Sequence, residues 1–151
     1  MALATELIGR SENRNCRTKE FSCRKVDYSL TAKGVLQAQQ TGRYLVDKHI
    51  HEIYSSPLKR ARETAGIIAE AVGLPFVILE DLREINVGDL EGRPASAEDW
   101  RYHDAILDAW LAGNSELTFP GGENYTMLWS RAQRAVKHMC QGKSGRNILA
   151  V

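Results

Sequence analysis

At 151 residues and 16.9 kDa, the chain has the size of one compact domain that buries roughly two thirds of its unfolded surface. A formal net charge of +1 and a pI of about 7.7 give no overall electrostatic basis for binding nucleic acid or a membrane surface. The three cysteines lack metal-type spacing, and no apolar run reaches the ~20 residues of a membrane span, so the sequence predicts a cytoplasmic protein without a disulfide framework.

A short strand and a capped helix are the first elements that the sequence predicts. The strand covers residues 5–8, and a polar loop follows it. Thr31 is a good helix N-cap, because its hydroxyl can accept a hydrogen bond from a free backbone N–H group. One face of the helix carries small residues, which favours close packing against a sheet. That face comprises Gly34, Ala38, Gly42 and Leu45.

The clearest signals belong to the strand and helix that come next. Residues 51–55 predict a strand, and the following helix is predicted to have Ser56 as its cap and Pro57 in its first helical position. Gly73 and Pro75 predict the end of that helix. Its predicted buried stripe comprises Leu58, Ala61, Ala65, Ile68 and Val72.

The second half of the chain continues the alternation. Residues 76–80 form a continuous apolar run, typical of a strand buried on both faces, and Gly88 and Gly92 predict turns in the irregular segment after it. A helix is then predicted from Ser96 to Gly113. The apolar stripe of this helix comprises Tyr102, Ile106, Ala109 and Trp110.

A last helix and strand complete the predicted fold. The helix follows residues 119–123, and residues 147–151 predict a strand. Alternating strands and helices predict an α/β domain with a largely parallel sheet, in which ligands usually bind at the carboxyl ends of the strands. The stripe of the last helix comprises Leu128, Ala132, Ala135 and Met139.

Arg60 is a candidate for binding an anion. It lies in the first turn of the helix that follows the strand 51–55, where free N–H groups and the positive end of the helix dipole favour negative charge. A guanidinium can grip two phosphate oxygens in a fork, which a lysine cannot do. Taken alone, the stretch favours the simpler alternative of a solvated, charged helix face.

Four motifs, read together and in order, change that interpretation. They are Leu-Thr-x-x-Gly-x-x-Gln-Ala over residues 30–38, Ser-Ser-Pro-Leu-x-Arg-Ala-x-x-Thr-Ala over 55–65, Glu84 followed by Gly-x-x-Glu-Gly over 88–92, and Phe-Pro-Gly-Gly-Glu-Asn over 119–124. This order resembles the histidine phosphatase superfamily. The resemblance implies the three-layer α/β/α fold of phosphoglycerate mutase, with a mostly parallel central sheet.

The resemblance also implies the chemistry, which is phosphoryl transfer through a phosphohistidine. It requires neither a metal nor another cofactor, and the expected substrate is a small phosphorylated metabolite. The residue that matches the family's phosphate-binding arginine is Arg60, and Glu84 matches the acid that protonates the leaving oxygen. The residues alone leave a second possibility for Glu84, an ion pair with Arg83 or Arg60.

The histidines depart from the family pattern. In the family, the nucleophilic histidine follows the first strand and a second histidine follows the strand that matches residues 147–151. None of the four histidines occupies either place, and only His103 is a candidate for contacting a substrate. The four are His49, His51, His103 and His138.

The start of the chain reads as though an apolar-Arg-His segment were missing between Ile8 and Gly9. Arg10 and Ser11 would then continue the family's phosphate-binding run. Either Asn13 or Asn15 would be its phosphate-binding asparagine, and the spacing leaves that choice open.

We therefore expect a single domain over residues 1–151, incomplete at the first catalytic loop and at the C-terminus. The 151-residue chain by itself is expected to be nearly inactive, because covalent catalysis needs its nucleophile. The short insert over residues 93–118 favours a small phosphatase over a phosphoglycerate mutase. A non-catalytic phosphate-binding module is the third hypothesis, and the sequence assigns neither the substrate nor the oligomeric state.

Overall fold

Three parallel strands form a sheet in the computed structural model, which describes residues 20–151. The strands are β1 (Ile50–Ser55), β2 (Phe76–Ile78) and β3 (Asn147–Ala150), and β1 lies between the other two. All pairings are parallel, so the carboxyl ends of the strands meet at one edge of the sheet. The predicted strand over residues 5–8 lies outside the described residues.

Within residues 20–151, four α-helices accompany the sheet, and the predicted α/β class is confirmed. They are α1 (Ala32–Leu45), α2 (Lys59–Val72), α3 (Ala97–Leu111) and α4 (Tyr125–Cys140). The first two helices pack closely, because a side chain at Gly42 would place its Cβ only 2.9 Å from that of Ala71. No helix within residues 20–151 has the length and apolar content needed to cross a membrane.

Buried apolar residues form two clusters. The first lies between the sheet and its neighbouring helices α1 and α2, and the second lies under α3 and the irregular segments around it. The sheet cluster comprises Leu45, Ile53, Ala65, Ile68, Ala69 and Leu149. The second cluster comprises Phe21, Cys23, Val87, Leu90, Ile106, Trp110 and Phe119.

The predicted cap of α2 is wrong, although the predicted end of the helix is confirmed. The helix begins at Lys59, and its N-cap residue is Leu58, whose side chain makes no capping hydrogen bond. The Ser56 hydroxyl accepts from the Leu58 N–H, at 3.4 Å, before the helix begins. The Lys59 N–H instead donates to both carboxylate oxygens of Asp27, at 2.7 and 2.9 Å. Asp27 thus supplies the N-terminal acceptor from a distant loop, which a local pattern cannot reveal. Gly73 ends the helix in a left-handed conformation, as predicted.

Two predicted burial patterns are also wrong. The strand β2 is short, and Val77 and Ile78 are 54% and 45% exposed because, among the described strands, β2 pairs with β1 alone. Tyr102 is 43% exposed, since α3 buries its face around Ile106 and Trp110.

The cap at Thr31 is confirmed, because its hydroxyl accepts from the Gly34 N–H at 3.1 Å.

Candidate active site

Arg60 lies where the sequence places it, in the first turn of α2 just beyond the carboxyl end of the central strand β1. Its side chain is mostly buried, with 17% of its surface exposed. Two of its N–H groups donate to Ser22, one to the hydroxyl at 3.0 Å and one to the carbonyl at 3.1 Å. A guanidinium has five N–H donors. Among the described residues, Ser22 therefore orients the guanidinium while using only part of its donor capacity.

Glu84 lies beside Arg60. The nearest oxygen of its carboxylate is 3.9 Å from a guanidinium nitrogen, and its side chain is 44% exposed. Arg83, the other partner considered for this acid, pairs instead with Glu80 at 2.7 Å. Residues far apart in sequence thus bring a cation and an exposed carboxylic acid together at the carboxyl edge of the sheet. A guanidinium can stabilise charge on an anion, and a carboxyl group can exchange a proton with a neighbouring oxygen.

The loop that carries Ser22 is held by a buried carboxylate. One oxygen of Glu91 accepts hydrogen bonds from four successive backbone N–H groups, at 2.6, 2.6, 2.9 and 3.1 Å. The other oxygen accepts from the Cys23 thiol at 3.1 Å. Burial, followed by this hydrogen bond, raises the pKa of the Cys23 thiol to about 12, so the thiol stays protonated as a donor. The four backbone donors belong to Cys23, Arg24, Lys25 and Val26.

These hydrogen bonds also set the charge state of Glu91. Burial by itself raises the pKa of this carboxyl, but the backbone N–H groups of Lys25 and Arg24, with the other donors, outweigh burial and lower the pKa to about 2. Glu91 is therefore ionised throughout the physiological range. Its negative charge fixes the loop against which Arg60 packs.

Replacing Glu91 with alanine is expected to lower the free energy of unfolding by about 3 kcal/mol, because the four backbone N–H groups of the loop lose their shared acceptor. Urea unfolding at neutral pH measures this change. Glu70→Ala is a matched control, since Glu70 is exposed on α2. A Glu91 variant as stable as the Glu70 variant would contradict the anchoring role.

The same contacts predict an acid-sensitive stability. The pKa of Glu91 is about 2 in the folded protein, against an ordinary value of 4.5, so its contribution is complete above pH 4.5 and is lost as the pH falls towards 2. The pKa difference corresponds to about 3 kcal/mol. Glu91→Gln is expected to remove this part of the pH dependence. Unfolding curves of both proteins between neutral pH and pH 3 test the prediction, and parallel losses of stability would contradict it.

Two further contacts fasten the Ser22 loop to α2. Asp27 accepts from the Lys59 N–H, and Glu63 accepts from the Leu30 N–H at 2.7 Å. Part of the charged face of α2 therefore binds residues 22–30. Glu63 makes one of these contacts, so the simpler interpretation of a fully solvated, charged face is wrong for this residue. The helix that carries Arg60 and the loop that orients Arg60 are held as one unit.

His103 packs against aromatic side chains, one of which is Phe21, the neighbour of Ser22 in the chain. It is half-buried on α3, its ring nitrogen contacts Asp104 at 2.9 Å, and its ring centroid is 5.2 Å from that of Phe21 and 5.7 Å from that of Phe119. Its role as a substrate contact stays a prediction. The predicted phosphate-binding residues Arg10, Ser11, Asn13 and Asn15 lie outside the described residues.

The other histidines also form contacts elsewhere. His51 accepts from the Asn147 N–H at 3.0 Å, and His138 packs edge-on against Tyr54 at 6.0 Å. His49 lies at the end of a short turn, in a left-handed conformation. Within residues 20–151, no histidine hydrogen-bonds to Arg60 or Glu84, and no three His, Cys, Asp or Glu side chains group as a candidate metal site.

Sequence reasoning did not assign roles to several residues that build this site. Ser22 gives no local signal. Glu91 and Glu123 do lie in two of the motifs, but their partners are far away in the chain, and Arg131 resembles any other arginine on a helix. Their roles come from tertiary contacts.

Comparison with known proteins assigns the chain to a family. A model of the histidine phosphatase superfamily (branch 1) matches residues 9–151. The chain belongs to the histidine phosphatase superfamily. Solved structures agree with the family's fold. "Bacillus stearothermophilus YhfR" is 28% identical with a TM-score of 0.76, over 93% of this chain and 69% of that one. The alpha-ribazole phosphatase from Shigella flexneri is 27% identical with a TM-score of 0.73, over the same shares of the two chains.

Two curated relatives within the histidine phosphatase superfamily carry enzyme names. "Uncharacterized phosphatase PhoE" of Bacillus subtilis is 45% identical over 127 residues, which are 84% of this chain and 60% of the relative. "Probable phosphoglycerate mutase GpmB" of Erwinia tasmaniensis is 37% identical over 113 residues, which are 73% of this chain and 51% of the relative. The chain thus spans between half and two thirds of the length of these relatives.

Proposed function

We propose that this protein is a metal-independent phosphomonoester hydrolase that acts through a phosphohistidine on a small phosphorylated metabolite. The observation that carries the proposal is the pairing of Arg60 with Glu84 at the carboxyl edge of the sheet, 3.9 Å apart. A cation for the phosphoryl oxygens and an acid for the leaving oxygen are the two groups that ester cleavage needs beside a nucleophile. The 45% identity to a relative named as a phosphatase supports hydrolysis.

The proposed reaction has two steps. In the first, a histidine nitrogen attacks phosphorus, the ester P–O bond breaks, and Glu84 protonates the departing oxygen. In the second, water attacks the phosphohistidine, the P–N bond breaks, and Glu84 takes a proton from that water. Arg60 stabilises the charge that spreads over the equatorial phosphoryl oxygens in both steps.

We also propose that the 151-residue chain alone turns over substrate slowly. None of its four histidines hydrogen-bonds to Arg60 or Glu84, so none is held where the nucleophile would act. The matched regions cover 60% and 51% of two curated relatives, so activity is measured on the protein translated from its own gene, called the native gene product below.

The test incubates the native gene product with a panel of small phosphomonoesters in the presence of a chelator. We expect release of inorganic phosphate together with a phosphoenzyme that is labile to acid and stable to base, as a phosphohistidine is. Transfer of the phosphoryl group to phosphoglycerate instead of water would favour the mutase hypothesis. Phosphate binding without turnover would favour a non-catalytic module, and activity that needs added metal would contradict the proposal.

A further inference from the structure

Arg131 on α4 grips the backbone that carries Glu84. One of its terminal nitrogens donates to the carbonyls of Asp81 at 3.0 Å and Arg83 at 2.6 Å. The other donates to the carbonyl of Glu84 itself at 3.2 Å. Three carbonyls within four residues thus share one guanidinium. A single side chain that binds several main-chain acceptors fixes the path of the segment.

The guanidinium of Arg131 is itself held by a buried acid. Its remaining contacts are a forked pair with Glu123, at 2.6 and 3.0 Å. Glu123 is only 4% exposed, and its carboxylate also accepts from the Asn86 N–H at 2.9 Å. Burial alone raises the pKa of Glu123, but Arg131 and the Asn86 N–H lower it below its ordinary value, so the pair is ionised. Residues 81–86 are therefore restrained on both sides of Glu84.

Close backbone packing strengthens this restraint. A Cβ atom at Gly122 would lie 2.3 Å from the Asn86 carbonyl oxygen, and one at Gly88 would lie 2.0 Å from the Pro120 carbonyl oxygen. Gly88 also has a φ of +57°, which favours glycine. The turn that carries Glu123 thus presses directly on the segment after Glu84.

The Glu84 side chain has little restraint of its own. Within the described residues, its carboxylate accepts from the adjacent Ile85 N–H at 3.1 Å and lies 3.9 Å from Arg60. Its position relative to Arg60 is consequently set by its backbone. We propose that Arg131, held by Glu123, is a positioning residue that places Glu84 for proton transfer to the leaving oxygen. This inference rests on the proposed function, because it assumes the acid role of Glu84.

The first experiment compares Arg131→Met with Arg134→Met by amide hydrogen exchange. Arg134 is a matched control on the same helix, because it pairs with the Asp81 side chain at 2.8 Å but is 63% exposed and binds no carbonyl of this segment. We expect the Arg83 and Asn86 amides to exchange about tenfold or more faster in the Arg131 variant, with amides of β1 unchanged. Equal exchange in both variants would overturn the inference.

Loss of Arg131 leaves the buried Glu123 carboxylate without its cation, and this alone can unfold a protein. The double variant Arg131→Met with Glu123→Met removes both charges and leaves the carbonyls unanchored. It is expected to recover global stability and to keep fast exchange at Arg83, whose N–H donates to the Glu80 carbonyl and not to a replaced side chain. Recovery of slow exchange at Arg83 in the double variant would overturn the inference.

The second experiment measures turnover of these variants in the native gene product. With an alkyl phosphate, whose leaving oxygen needs a proton, we expect kcat to fall roughly 10–100-fold at unchanged KM, as for a misplaced catalytic group. With p-nitrophenyl phosphate, whose leaving group departs as a stable anion, we expect kcat/KM, which reports only the step in which the leaving group departs, to change about twofold or less. A purely structural role would lower both rates equally, and that result would overturn the inference.

The outcomes separate the two proposals. If the native gene product hydrolyses neither ester, the proposed function fails, and the exchange comparison still decides whether Arg131 fixes the Glu84 segment. If Glu84→Gln shows the selective loss with the alkyl ester but the Arg131 variants do not, the proposed function stands and the positioning role fails.

Discussion

Glutamine at position 84 is expected to lower kcat of the native gene product for an alkyl phosphomonoester by about 10²- to 10⁴-fold, the usual contribution of a general acid. The amide has nearly the shape of the acid but has no proton to give to the leaving alkoxide. The kcat/KM for p-nitrophenyl phosphate reports only the step in which the leaving group departs. It should fall much less, by about tenfold at most, because this leaving group needs no proton. Paired assays with the two esters measure the difference.

Glu80→Gln is the matched control for that measurement. Glu80 lies in the same segment and is exposed, but it pairs with Arg83 and has no contact with Arg60. We expect it to leave both rates within about twofold, as for most exposed ion pairs. Equal losses with the two esters in the Glu84 variant, or no loss at all, would contradict the acid role.

Replacement of Arg60 with alanine should lower kcat/KM by about 10²- to 10³-fold for both esters, in contrast to the Glu84 variant. The guanidinium stabilises charge on the phosphoryl group, which develops whatever the leaving group is. Arg60→Lys should recover only a small part of the lost kcat/KM. An ammonium cannot bind two phosphate oxygens and also donate to both acceptors of Ser22, as the guanidinium can. Steady-state kinetics on the native gene product measure both effects.

Arg62→Ala is the control for this pair of variants. It removes the same charge from the same helix, and Arg62 is exposed. Since the expected loss depends on position and not on net charge, the Arg62 variant should keep kcat/KM within about threefold. Similar losses in the Arg60 and Arg62 variants would mean that Arg60 acts only through the general field of the helix.

Local signals in the sequence predicted the helices well. The hydroxyl of Thr31 and the left-handed conformation of Gly73 act within one turn of their own helix, so neighbouring residues suffice to recognise them. The position of Arg60 in the first turn of α2 was also predictable, because it depends only on where this helix begins. The order of four motifs then identified the family, which composition and charge alone did not.

Long-range contacts account for what the sequence did not reveal. The acceptor at the start of α2 is Asp27, 32 positions before Lys59, and Glu91 binds a loop 65 to 68 positions away. Patterns within a helix or strand carry no information about such partners. The exposure of β2 has a similar cause, because an apolar run does not show whether its strand will lie at the centre of the sheet or at its edge.

Some residues of the site were therefore predictable from the sequence, and others were not. The motifs predicted the identities of Arg60 and Glu84, and the fold brings these two residues together. Ser22, Glu91 and Arg131, which hold them in place, became visible only in three dimensions. Their contacts hold the loop, the helix and the segment that carry the two matched residues.

The most direct test of the phosphate site is a titration of the 151-residue chain with inorganic phosphate, followed by NMR at the Arg60 side chain and the Ser22 and Cys23 amides. Binding needs no nucleophile, so we expect saturable shifts in the wild type and in Arg62→Ala. In Arg60→Ala the affinity should fall about tenfold or more, the loss expected for charge-assisted hydrogen bonds. Shifts that do not saturate, or an Arg60 variant that binds phosphate as tightly as the wild type, would contradict this expectation.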